Sequence, residues 1–211
     1  MATSASKEQK VVASLALHGM VLPTIDELQQ GQNTHGAKIL RDAFVNIESQ
    51  IPGITHQFLN AIIESDNSKT DLNFEQSMLR YAVTPCKEYQ LDRPEKEFVR
   101  LSSRSTALKS ILSRIPDDIG DRSKFLNTIK SIASAIKEML DALNDVCKKH
   151  KDFKKLLEVQ KKEFIQQSKN FSDTLKRYFK EENADAVFES ANRLINYTNA
   201  ILRNIRMISA K

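Results

Sequence analysis

From residue 121 to residue 211 the chain contains neither glycine nor proline, a run of 91 positions, although five of each occur before it. Tight hairpins depend on turn residues of this kind, whereas long helices depend on their absence. This half of the chain therefore reads as helix.

Apolar spacing agrees. Phe125, Ile129, Ile132, Ile136, Leu140, Leu143 and Cys147 step by threes and fours, keeping one side of a 3.6-residue helix. Phe153, Leu157, Phe164, Ser168, Phe171, Leu175 and Tyr178 do the same, with a polar gap near residue 160. A third series runs through Val187, Ala191, Leu194, Thr198, Ile201, Ile205 and Ile208. The breaks KKHKDF and KEENAD are short and polar, so neighbouring helices must run antiparallel. An earlier helix is expected from Pro94, at a first-turn position, to Pro116, which disfavours helix in the residue before it. The expected fold is all-α, with residues 94–211 forming an antiparallel four-helix bundle.

The first half reads as shorter helices. Residues 10–18 form one. Thr24 with Glu27 suggests a capping box for a second, and Leu40, Ala43, Phe44 and Ile47 stripe a third. Ile54, Phe58, Leu59, Ile62 and Ile63 stripe a fourth after Pro52-Gly53. So short a set cannot build a large core, and oligomerisation is one source of the missing support. Asn73 begins a further helix that Thr84-Pro85 interrupts. The boundaries read as a tail (1–13), a helical module (14–66), a connector (67–93) and the bundle (94–211).

Charge divides along the same line. Residues 1–95 carry 8 Lys/Arg against 12 Asp/Glu, a net of −4, while residues 96–211 carry 24 against 15, a net of +9. The second module therefore favours an acidic partner. Its aromatics fall mostly on core stripes rather than on stacking platforms, which argues against nucleic acid. The longest apolar stretch falls short of the roughly 18 residues that span a bilayer. Lys7 and Lys10 before VVASLALHGMVLP imitate a secretory leader, but Glu8 and His18 interrupt it and no small-residue cleavage pattern follows. Cys86 and Cys147 have no CxxC partners, in keeping with a reducing cytosol. The four histidines have no metal-ligand spacing, and no nucleotide-binding, protease, hydrolase or kinase motif occurs. Neither catalysis nor a cofactor or metal is expected, and the Asn170 and Asn196 sequons, lying in helices, read as chance matches.

Binding is better supported. Lys130, Ala133 and Lys137 cluster within about 60° of one another, displaced by about 90° from the core stripe of their helix. Lys169, Ser172 and Lys176, with Ser168 alongside, repeat this on the next helix. On antiparallel helices such offsets face either a shared groove or solvent. In a groove, Ala133, Ser168 and Ser172 make the floor and the lysines the rim, suiting an acidic amphipathic helix. The plainer alternative is a solvated lysine-rich face. Lys148, Lys149, Lys151, Lys154, Lys155, Lys161 and Lys162 suit anionic lipid headgroups or, again, solvent.

The segments ILRDAFVNIESQIPGIT, NFEQSMLR, LDRPEKEF, SKFLNTIKSIASAIKEMLD, KKEFIQQSKNFSDTLKRYFK and SANRLINYTNAIL resemble the programmed cell death protein 10 family over residues 15–208. The resemblance implies an N-terminal dimerisation domain, a connector and a bundle similar to a focal-adhesion-targeting domain. It implies pairing of the first domain with itself or with germinal-centre class III Ste20-like kinases. It also implies that the bundle binds leucine-aspartate motif helices of the paxillin, malcavernin and striatin type, within striatin-phosphatase-kinase assemblies. The family's groove positions fall on Lys130, Ala133, Lys137, Ser168, Lys169, Ser172 and Lys176. Its dimer positions fall on Leu40, Ala43, Ile62 and Ile63, with Phe44 beside them. Three departures stand out: Asp42 places a charge beside the implied interface, Pro85-Cys86 interrupts an implied continuous connector helix, and Cys147 stands where the resemblance implies a larger apolar residue, a packing change with no implied chemistry. The expected location is cytoplasmic, with peripheral Golgi and plasma-membrane pools, in a protein serving cell survival, polarity and vascular integrity. The alternative is a peripheral membrane adaptor that binds phosphoinositides through the lysine-rich bundle.

Overall fold

A computed structural model of the chain describes residues 15–30, 33–65, 73–84 and 86–209. The tail at 1–13, part of the helix expected at 10–18, much of the connector's start and Pro85 lie outside the described residues. The described residues form helices and turns, without a strand. They divide into two compact units, Met1–Cys86 and Lys87–Lys211.

Among the described residues of the first unit, a π-helical segment, Ala16–Val21, runs into α1 (Leu22–Gln29). Pro23 explains the widened turn, because in an α-helix its ring would press on the carbonyl four residues back, that of Gly19. The expected capping box is absent: Thr24 lies inside α1 and its hydroxyl donates to the Met20 carbonyl at 2.9 Å. Pro23 occupies the first turn of α1 on a helix already under way, so no cap is needed there. Helices α2 (Thr34–Gln50) and α3 (Ile54–Ser65) form a hairpin. Gly53 turns it at φ 100°, a conformation that favours glycine. The Glu48 carboxylate braces the turn by accepting from the Gly53 N–H at 2.8 Å, the Thr55 N–H at 3.0 Å and the Thr55 hydroxyl at 2.6 Å. Helix α4 (Phe74–Tyr81), expected in the connector, packs on the π-helical segment of this unit. It starts where Asn73 accepts from the Gln76 N–H at 2.9 Å, and it stops at Tyr81, short of Thr84-Pro85.

In the second unit a 3-10 turn, Lys87–Tyr89, precedes α5 (Lys96–Leu112), the short α6 (Ile115–Asp118), α7 (Arg122–Lys149), α8 (Lys151–Glu181) and α9 (Ala184–Ser209). α5 packs on α7, α7 on α8 and α8 on α9, and α9 returns to α5, so the four long helices close a bundle. The helix expected over 94–116 is shorter at both ends. Glu95 takes the cap position and leaves Pro94 outside, while Pro116 opens α6 instead of merely ending α5. Proline fits a first helical turn, where no intrahelical N–H bond is lost.

Phe98, Leu101, Leu108 and Leu112 of α5 meet Phe125, Ile132, Met139 and Leu143 of α7 in the core, all fully or almost fully buried. To the same core α8 contributes Phe153, Leu157, Phe164 and Phe171, and α9 contributes Val187, Ala191, Leu194 and Ile201. α9 is buried over a wider face than its apolar series foretells, since Asn192, Asn196 and Asn199 are also enclosed.

Two ends illustrate the local logic. Asp121 caps α7, accepting from the Ser123 and Lys124 N–H groups at 3.0 and 3.1 Å, and these donors, Lys124's first, hold its carboxyl below the ordinary range. The stabilisation is therefore complete above the unfolded-state value of about 3.9 and is lost as pH falls through the lower folded value. At the far end of α8, Glu182 takes the left-handed conformation at φ 54°. Glycine suits that helix-terminal position better. Glu182→Gly is expected to raise unfolding free energy by about 0.5–1 kcal/mol in urea titration, the relieved strain outweighing the added chain entropy.

Candidate functional site

Helices α7 and α8 leave a cleft of about 310 Å³ on the bundle surface. From α7 it is lined by Ile129, Ile132, Ala133, Ile136 and Leu140, and from α8 by Ile165, Ser168, Lys169, Phe171, Ser172 and Leu175. The floor is thus more apolar than the small residues Ala133, Ser168 and Ser172 alone would make it. Ile129, Ile136 and Leu140, expected in the core, are only half-buried and serve the cleft. Their places inside are taken by Thr128, Ala135, Met139, Ala142 and Val146. The physical reason is that the apolar face of α7 is wide enough to cover both the core and one cleft wall, and a single line of 3–4 spacing follows its edge.

Lys130 and Lys137 are exposed on α7, each one residue from a cleft-lining isoleucine, Ile129 and Ile136 respectively. Neither they nor Lys169 have an ion-pair partner among the described residues, so their charges are available to an incoming carboxylate. Lys176 differs: it pairs with Asp173 at 2.8 Å and holds that carboxyl below its usual range. Ser168 donates back to the Phe164 carbonyl at 2.8 Å, which keeps its polar atom off the apolar floor.

One turn further along the same two helices lies a hollow of about 420 Å³, lined by Asn144, Cys147, Lys148, Lys151, Lys154, Glu158 and Lys161. Of the lysines named for lipid, Lys148, Lys151, Lys154 and Lys161 line it. Lys155 is exposed beyond the lining, and Lys149 turns away to pair with Glu97 of α5. Cys147 is buried there, and burial raises its thiol pKa, the opposite of what a nucleophile needs.

In the first unit, α2 buries only Ala37 and α3 only Thr55. Leu40, Phe58 and Ile62 are about half exposed, at 48, 49 and 48%. Ala43 is exposed, and Phe44 and Ile63 are half-buried. Phe44 meets Phe58 at a centroid distance of 6.1 Å beside an apolar hollow of about 200 Å³ between the hairpin helices. Asp42 is exposed on α2. Such a hairpin lacks a sufficient core of its own.

No cluster of three or more metal-ligating side chains and no helix long and apolar enough to cross a membrane occurs among the described residues.

Comparison with known proteins agrees with both halves. Residues 9–69 match the dimerisation domain of programmed cell death protein 10, and residues 72–166 match its C-terminal domain. Lys130, Ala133 and Lys137 fall inside the second match, whereas Ser168, Lys169, Ser172 and Lys176 lie beyond it. A programmed cell death protein 10 homolog from Caenorhabditis elegans is 36% identical over 170 residues, covering 79% of this chain and 78% of that protein. With its dimerisation hairpin, its helical second unit and this similarity along most of its length, the chain belongs to the programmed cell death protein 10 family.

Proposed function

We propose that the chain is a non-enzymatic adaptor that pairs through its first unit and captures leucine-aspartate motif helices on its second. The observation that carries this reading is the apolar α7–α8 cleft edged by Lys130, Lys137 and Lys169, which have no ion-pair partner among the described residues. Leucines of an amphipathic ligand helix enter the cleft, and Lys130, Lys137 and Lys169 meet its aspartates. Apolar burial supplies most of the affinity; the exposed ion pairs add about 0–1 kcal/mol each and set orientation.

The half-exposed apolar side chains of α2 and α3 support pairing with a second copy or with the tail of a germinal-centre class III Ste20-like kinase. Paxillin, malcavernin and striatin are the proposed class of cleft partner. An adaptor of this kind works in the cytoplasm, with peripheral Golgi and plasma-membrane pools, where it brings a kinase to striatin-phosphatase-kinase assemblies. The same reading assigns it roles in cell survival, polarity and vascular integrity.

Fluorescence titration with a leucine-aspartate peptide tests the cleft. Lys130→Glu and Lys169→Glu should each weaken binding about three- to fivefold, with the loss shrinking in high salt. Unchanged affinity for both variants contradicts the assignment. The rival reading, phosphoinositide binding, draws on the basic hollow at the α7–α8 end. It predicts that charge reversal at Lys148, Lys151 and Lys154 lowers vesicle binding while peptide affinity is unaffected.

A further inference from the structure

The apolar cleft and the basic hollow share one seam. On α7 the cleft ends at Leu140 and the hollow begins at Asn144, about 6 Å further along the helix. At that boundary Lys161 of α8 donates to the Asn144 side-chain oxygen at 3.2 Å and pairs with Glu158 at 3.0 Å. Lys148, Lys151 and Lys154 face the hollow without an ion-pair partner among the described residues.

Helix stability accounts for only part of that arrangement: Lys148 stands in the last turn of α7, where the helix dipole favours a cation. Lys151 and Lys154 stand at the start of α8, where the helix dipole disfavours cations; Asp152 between them offsets part of that cost, and no side chain caps this end. Three lysines gathered around one hollow also repel each other. With Lys161 opposed by Glu158, the hollow retains an excess of positive charge beside a cleft suited to a helix.

We propose that the hollow is the second half of the ligand site and takes an acidic flank of the same polypeptide whose amphipathic helix fills the cleft. This inference rests on the cleft reading above and narrows the partner class. A partner should carry a run of aspartate or glutamate within a few residues of one end of its docking helix. The helix gives affinity, and the flank selects among otherwise similar helices. A chain leaving the cleft at the Leu140 end has to cross about one helical turn to reach these lysines, a span of about two extended residues.

The test uses the full chain and three synthetic peptides: an acidic leucine-aspartate helix alone, the same helix with four glutamates added at its N-terminus, and the same with four at its C-terminus. Anisotropy titration at low salt should show one extension tightening binding about three- to tenfold, with the gain gone in about 0.5 M salt. The Lys148→Glu/Lys151→Glu/Lys154→Glu variant should lose the gain and bind the unextended helix as before. Binding of the unextended helix with no gain from either extension overturns this inference alone. A gain that survives charge reversal overturns it as well. Failure of the unextended helix to bind sinks the cleft reading and this inference together. Loss of binding to phosphoinositide vesicles in the triple variant, with no peptide gain in the parent, assigns the hollow to lipid headgroups instead.

Discussion

Ile136→Asp is expected to weaken binding of a leucine-aspartate helix by roughly thirtyfold or more while leaving the bundle folded. Ile136 lines the middle of the cleft but is only half-buried, with its neighbours Ala135 and Met139 carrying the core contact. A carboxylate there would be desolvated beneath the ligand's leucines, and it would also repel an acidic peptide. The loss should greatly exceed that of Lys169→Glu, because apolar burial outweighs exposed ion pairs. Calorimetric titration measures the affinity, and thermal melting checks that stability changes little. Equal losses for the two variants would mean that charge, not burial, dominates recognition.

Leu40→Asp, on the other unit, should convert a dimer to a monomer. Leu40 lies on α2 at 48% exposure, on a hairpin that encloses only one residue from each of its helices. A charge on that face loses the apolar gain of pairing and adds a desolvation cost, so the dimer constant should rise by a factor of about a hundred or more. Light scattering should report twice the chain mass of 24.0 kDa for the parent protein and the single mass for the variant. Because Leu40 is not part of the unit's core, circular dichroism should keep its helical signal. A parent protein that is monomeric at every concentration, and that no kinase tail engages, would remove the interface reading.

Much of the bundle is legible in the sequence because its signals are local. The absence of glycine and proline after residue 120, with apolar residues three and four apart, is enough to require long helices, and the breaks at His150 and Glu182-Asn183 fall within the polar segments KKHKDF and KEENAD. The helix ends next to prolines are less legible. Pro94 and Pro116 each fit several positions near a helix start, and with no side-chain cap at either start, tertiary packing decides among them. Pro23 misleads differently: it lies in a continuous helical path that a π-helical segment opens to accept it.

The cleft divides in the same way. Ala133, Ser168, Lys169 and Ser172 meet there because antiparallel packing brings equal rotational offsets to one seam. Ile129, Ile136 and Leu140 read as core from spacing because an isoleucine or leucine at helical intervals looks the same whether it faces a core or a cleft. Only the packing partner distinguishes them, and that partner lies about thirty residues away on α8. Periodicity likewise cannot tell that Leu40 and Ile62 stay half-exposed, since a stripe that fits an internal core equally fits an interface.

On the proposed function, one chain holds a kinase tail and a leucine-aspartate helix at the same time through separate units. Sedimentation velocity of a fluorescent leucine-aspartate peptide, with this protein and a purified kinase tail, tests it directly. The account predicts that the peptide moves as part of a three-component complex, with peptide affinity changed less than about twofold by the tail, as expected for uncoupled sites. Release of the peptide when the tail binds, or loss of tail binding in the Ile136→Asp variant, would contradict it.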